Sequence, residues 1–188
     1  MNLAGNQMKM TAKKTKGLLE RIRQGDIFQD ISVIENIELN GSRLLKDEIV
    51  FPYVVCLNQE CDLVNDFDTK ERGKDSSLLH LAIAPAFIFE HFLSGSHWGK
   101  IFINGSTGKR SDTKIKAIID NEIPRYHYLN FAEADMPELI IDFKHFFSVN
   151  RNMLYQQIGK RLCSVDDLFR EKINQRFSFY ISRIGLPV

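Results

Sequence analysis

The chain has 188 residues, of which 44% are hydrophobic and 26% charged, and its formal net charge is +1. That length suits one domain with a full core, and that composition excludes disorder, collagen or coiled coil as a description of the whole chain. The near-neutral charge excludes a global field for nucleic acid or anionic lipid, so any such partner must be met by a local cluster.

The first residues lack a signal-peptide core, and no apolar run approaches the ~20 residues that cross a bilayer. A cytoplasmic protein with reduced thiols and no membrane contact is expected. The three cysteines, Cys56, Cys61 and Cys163, lack metal-ligand spacing, so neither a metal nor a cofactor is expected.

Residues 1–16 are polar and lysine-rich and read as a flexible arm, with 17–188 forming a single domain. From Lys16 to Gln24, Leu18, Leu19 and Ile22 fall at helical spacing, and Gly25 stops that short helix. Asp26 to Glu38 alternates apolar and polar residues as strands do, and Asn40-Gly41 turns it into a hairpin mate, Arg43 to Val50. Tyr53 to Leu57 is apolar on both faces, as a central strand would be, and ends in the polar cluster Asn58 to Asp62.

Asp66 to Ser77 reads as a charged loop, Leu78 to Ala84 as a buried strand closed by Pro85, and Ala86 to Leu93 as a helix. Gly105 to Lys116 is the most basic and glycine-rich loop, without P-loop spacing. Arg125 to Leu129 and Glu138 to Phe143 read as two more strands. Beyond Asn150 the pattern turns helical, with Ser164 and Asp167 spaced as a capping box. Val165, Leu168, Phe169, Ile173, Phe177, Ile181 and Ile184 form the buried stripe of a final helix. The expected fold class is α+β: a curved, mostly antiparallel sheet or SH3-like β-barrel from Gly25 to about Phe143, followed by C-terminal helices over 151–184.

Three constellations carry chemistry. Cys61 is a candidate nucleophile, with His80 or His127 as base and Asp62 or Asp142 as orienter, because a thiol needs an adjacent imidazole or positive charge to ionise near neutral pH. Asp142 lies in an apolar strand and needs a partner, Arg125 or Arg183, in a structural ion pair. Lys109, Arg110, Lys114 and Lys116, with Trp98, combine phosphate-seeking charges with a stackable ring, the combination that binds single-stranded nucleic acid.

The order Gly25-Asp26-Ile27-Phe28, hairpin, apolar strand into a polar turn (Tyr53 to Asp62), and strand ending in Ala84-Pro85 resembles the start of the MazF/PemK-like proteins. These are bacterial toxins with an SH3-like barrel that cleave single-stranded RNA. The family's Arg-Pro is replaced by Phe51-Pro52, and its Thr or Ser after Ala-Pro by Ala86-Phe87, so its cleavage residues do not carry over. The whole chain also looks like an uncharacterised bacterial family with a QxCD element, here Gln59 to Asp62. The resemblance implies a PemK-like module that binds nucleic acid or protein in a bacterial stress, toxin–antitoxin or phage-defence system. The alternative is a hydrolase, either a ribonuclease or a Cys61 enzyme. The expected partner is single-stranded RNA or another protein, and the chain itself is compatible with a homodimer or a subunit of a larger complex.

Overall fold

In a computed structural model, residues 12–15, 17, 19–40, 43–75, 77–99, 111–131, 133 and 135–183 are described. The fold is α+β. Strands β1 (Asp26–Asn40) and β2 (Arg43–Cys56) form a long antiparallel hairpin, and helix α1 (Glu60–Glu71) follows. Next come β3 (His80–Ile88), α2 (Phe89–Ser94), α3 (Asp112–Ile119), β4 (Tyr126–Leu129) and β5 (Leu139–Asp142). The chain then continues through β6 (Phe147–Asn150), α4 (Arg151–Gln156), β7 (Arg161–Ser164) and α5 (Asp167–Ile181).

The seven strands make one antiparallel sheet in the order β4-β5-β3-β2-β1-β7, with β6 also on β3, and the sheet is not closed. Away from the far end of the β1–β2 hairpin, where Ile34, Ile37 and Val50 are exposed, both faces of the sheet are covered and apolar residues alternate between clusters along the strands. Ile27, Val55, Leu57, Ala84, Leu129 and Ile141 face one way, into a core that Phe169, Ile173 and Phe177 of α5 pack against. Phe28, Val54, Cys56 and Ile83 face the other way, joined by Leu63 of α1 and Leu154 of α4. Farther along that side, Phe87, Tyr128 and Ile140 meet Phe92, Trp98 and Ile118.

The gap between the sheet's outer strands is spanned by 12–15. Ala12 bridges Phe131 just past β4 and Lys14 bridges Val165 just past β7. The Ala12 N–H donates to Asn130 O at 3.0 Å, the Thr15 N–H to Ser164 O at 2.8 Å and the Asp166 N–H to Lys13 O at 2.7 Å. Residues 12–15 are therefore part of the packed structure rather than an arm, and residues 1–11 lie outside the described residues.

Three local expectations change. The described residues between Gly17 and Gln24 form no helix, because side chains from Asp26 nearby and from distant segments take over their backbone groups. The Arg23 N–H donates to Asp26 Oδ2 at 2.8 Å, the Gln24 N–H to Glu60 Oε2 at 3.0 Å, and Arg161 donates to the carbonyls of Arg21 and Leu19. The polar stretch from Glu60 to Glu71 is a helix rather than a turn and loop. Only Leu63 and Asp66 of it are buried, so it shows no apolar stripe to read. Strand β3 runs through Pro85 because the residue sits between the β6-paired stretch 80–83 and the β5-paired stretch 86–88, where that edge needs no N–H from it. The helix expected over Ala86 to Leu93 accordingly starts later, at Phe89.

If 12–15 closes the core, Ala12→Asp places an unpaired carboxylate at a position with no solvent exposure and costs about 3 kcal/mol. The denaturant midpoint checks this: it should fall with an unchanged m-value.

Candidate functional site

The segment leading into Gly25 to Phe28 and the stretch Gln59 to Asp62 are more than thirty residues apart and meet in space. The backbone N–H of Gly25 donates to Cys56 O at 2.9 Å, at the end of β2. One residue earlier, Gln24 and Glu60 clasp each other: the Gln24 N–H donates to Glu60 Oε2, and the Glu60 N–H donates to Gln24 Oε1, each at 3.0 Å. Gln24 thereby caps the first N–H of α1, a service its own N-cap residue, Gln59, does not provide with its side chain.

Glu60 is paired with three arginines, accepting hydrogen bonds from Arg21 and Arg23 and facing Arg170 as an ion pair only. Its Oε1 lies 2.7 Å from Arg21, 3.3 Å from Arg23 and 3.4 Å from Arg170. Burial opposes its ionisation, but the Arg21 and Gln24 hydrogen bonds and the Arg170 charge together hold its carboxyl below the usual range. Beside it, Asp26 has no solvent exposure and accepts from Arg161 at 2.8 Å, from the Arg23 N–H and from the Ser164 hydroxyl. Burial pushes Asp26 up, with those donors opposing it. Asp167 at the start of α5 ties Arg23 and Arg170 together at 2.9 and 3.1 Å.

Gly25 is required for this convergence. Its φ is +76°, and a Cβ there would stand 3.0 Å from Arg170 Cβ and 3.3 Å from Val165 Cβ. Only a residue without a side chain lets β1 start this close to α5.

Above the cluster lies an open groove of about 600 Å³, lined from the start of α1 by Gln59, Glu60 and Cys61 and from α5 by Glu171, Asn174, Gln175 and Ser178, with Gln24 at its base. Two polar atoms of its wall are buried with no hydrogen-bond partner among the described residues: the donor Gln24 Nε2 and the acceptor Asn174 Oδ1.

Cys61 is exposed in this groove, and its thiol contacts are Gln59 Oε1 at 3.7 Å and Asp62 Oδ1 at 3.9 Å. The structure does not bring His127 to it. His127 points into the core beneath α5, against Phe143, where burial and the nearby charges of Arg176 and Lys172 lower its pKa to about 3. His80 lies on β3 opposite Asn150. The Cys61, His127, Asp62 combination is thus corrected: a strand residue facing the core cannot serve a thiol at the mouth of an outer helix. Cys56 and Cys163 are buried, with their thiols pushed up to about 12.

The nucleic-acid constellation is divided. Trp98 is only 5% exposed, edge-on to Phe87 and His145 at 4.6 Å each, so it presents no face on which a base can stack. Lys114 and Lys116 are exposed on α3, Lys116 paired with Asp120 at 2.8 Å, whereas Lys109 and Arg110 lie outside the described residues. Arg125 grips the fully buried Asp142 with two hydrogen bonds, 2.7 and 2.5 Å, which leaves that carboxylate no catalytic freedom. Among the described residues no group of three or more His, Cys, Asp or Glu is placed to hold a metal ion.

Sequence reasoning missed Arg21, Arg23, Gln24, Arg161, Asn174 and Arg170. Gln24 and Glu60 were adjacent to readable motifs, but nothing local marks an arginine as the partner of a carboxylate over a hundred residues away. No protein-family model matches the chain, and no curated protein matches it.

Two substitutions probe this geometry. Gly25→Ala should lower stability by about 2 kcal/mol in thermal unfolding, from the strained φ and the crowding of Arg170. For His127, the folded state stays neutral while the unfolded chain takes up a proton below about pH 6.5. Stability is therefore complete above that pH and falls as pH drops toward 3, by at most about 1.4 kcal/mol per unit from this group. Urea midpoints measured from pH 7 to pH 4 should decline less steeply in His127→Gln than in the wild type.

Proposed function

We propose that this chain is a protein-binding module, PemK-like in kind, acting in the bacterial cytoplasm within a stress, toxin–antitoxin or phage-defence system. The observation that carries this reading is the outward face of α5, where Leu168, which the sequence pattern places in the buried stripe, is 67% and Phe179 61% exposed on one side of the helix. Ile181, likewise expected to be buried, is 52% exposed on the other side at the helix end. Ile181 also lines a shallow hollow of about 460 Å³ with Phe146, Tyr180 and Arg183. Large side chains exposed on a terminal helix favour a partner that offers apolar side chains in return.

Two further observations support binding over hydrolysis and protein over RNA. Among the described residues Cys61 has no imidazole in hydrogen-bond contact; its thiol faces only Gln59 Oε1 and the Asp62 carboxylate, and a neighbouring negative charge disfavours the thiolate that a nucleophile needs. The arginines near the groove are each spent on a carboxylate: Arg21, Arg23 and Arg170 on Glu60, and Arg161 on Asp26. Neutralised cations give little of the counterion-release term that dominates nucleic-acid affinity.

The test has two arms. Mixed single-stranded RNA incubated with the purified chain should be neither cleaved nor retained on a gel. Cleavage that disappears in Cys61→Ala would establish a hydrolase instead, and retention lost in Lys114→Ala/Lys116→Ala would establish an RNA binder. In the second arm a partner captured from native extract is purified and rebound. Phe179→Ser should weaken it about tenfold or more while leaving the unfolding midpoint unchanged.

A further inference from the structure

We infer that the groove between the start of α1 and α5 is a recognition site for an uncharged amide of a peptide segment, its carbonyl accepting from Gln24 Nε2 and its N–H donating to Asn174 Oδ1. This rests on the protein-binding reading above and adds the site and the chemistry that it selects.

The groove's polarity is arranged end to end. At the α1 end the helix N-terminus contributes a partial positive charge, and Gln24, only 3% exposed, holds its Oε1 on the Glu60 N–H while its Nε2 has no partner among the described residues. That end calls for an acceptor. At the α5 end Asn174 Oδ1 is buried without a partner, and Glu171 and Ser178 add further acceptors. That end calls for a donor. An orphaned buried polar atom costs free energy, typically 1–3 kcal/mol, which a ligand that satisfies it returns as affinity.

A charged ligand group fits less well. The acidic charge of Glu60 is already answered by three arginines, and those arginines are in turn held by Glu60 and Asp167, so the groove offers neither a free cation for an anion nor a bare buried carboxylate for a cation. What remains is hydrogen bonding by amides, from Gln24, Gln59, Asn174 and Gln175, and the group that complements a paired donor and acceptor is itself an amide.

The groove carries its own reporter. Cys61 lines it and is exposed, whereas Cys56 and Cys163 are buried with thiols pushed up to about 12, so a thiol reagent modifies Cys61 selectively. The full chain would be panned against a displayed random peptide library and, in parallel, against a random single-stranded RNA pool. Gln24→Glu keeps the Oε1 that caps α1 and removes the donor; Asn174→Leu removes the acceptor from a helix position with no capping role.

The expected result is a selected peptide that slows Cys61 modification, loses about tenfold or more in affinity to each variant, and loses the same when one particular amide of the peptide is N-methylated. The melting curve of Asn174→Leu should stay near the wild type, which separates lost recognition from lost folding. Gln24→Glu adds a carboxylate beside Glu60 and lowers the melting point, so its affinity is measured at a temperature where that variant is fully folded. Selected peptides that are insensitive to both variants yet lost in Phe179→Ser overturn the groove assignment while the protein-binding reading stands. Selection of RNA and not peptide overturns both. Recovery of neither overturns the groove assignment and leaves the captured partner to decide the reading.

Discussion

The structure depends on one carboxylate, Glu60, half-buried at the start of a helix and shared by three arginines from the two ends of the sequence. Arg21 and Arg23 come from the segment that precedes the sheet, and Arg170 comes from the last helix. Removing a carboxylate from among such cations would leave them buried and uncompensated, which is far more costly than the net worth of any one pair. The Gln24 and Glu60 clasp adds a directional constraint that charge alone lacks, since it sets where α1 begins relative to β1. Asp26, Arg161 and Ser164 extend the same network to β7, so the start of the sheet, its outer strand, α1 and α5 are registered against one another at one place.

Other buried ion pairs work as separate pins. Asp66 in the middle of α1 accepts from Arg151 at the start of α4 and from the Leu78 N–H at 2.9 Å, while the Arg151 guanidinium lies 4.1 Å over Tyr155. Arg125 and Asp142 hold β4 and β5 together at one end, where the Lys144 N–H also donates to the carboxylate at 3.1 Å. In each case a charge that could not be left unpaired in an apolar layer fixes the relative position of two elements.

The sheet's outer strands are managed in two ways. On β4, Asn121 exchanges two hydrogen bonds with the Tyr128 backbone, and Arg176 donates to the Tyr126 and Ile123 carbonyls, so side chains stand where another strand would pair. Beyond β7, the backbone of 12–15 takes that role and also reaches Phe131 on the far side. Of the two expectations, the curved antiparallel sheet holds and the closed SH3-like barrel does not: the strands do not close, and among the described residues only a short segment, joined by two isolated bridges, lies between the outer strands.

What the sequence determined by itself was whatever rests on period and local chemistry. The two-sided burial of Val54 to Leu57, the pairing of the hairpin strands, the strands around Tyr126 and Leu139, and the Phe169, Ile173 and Phe177 part of the final helix's stripe were legible, because side-chain alternation is a local property of strands and helices. Leu168 and Ile181, expected in that stripe, are exposed instead, and Ile184 lies outside the described residues. The need of Asp142 for a cation was legible too, since a carboxylate in an apolar strand must be answered. Only the tertiary structure decided the rest. It turned the stretch before Gly25 from a helix into a bonded loop, made a helix of the polar run after Glu60, and enclosed Trp98 and His127 rather than presenting them. The deciding partners lie on other elements: Arg161 and Glu60 for the loop, Gln24 for the start of α1, Phe87 for Trp98 and Phe143 for His127. The groove followed the same rule: Gln24, Cys61 and Asn174 become neighbours only when the arginines around Glu60 draw α5 onto the start of the sheet.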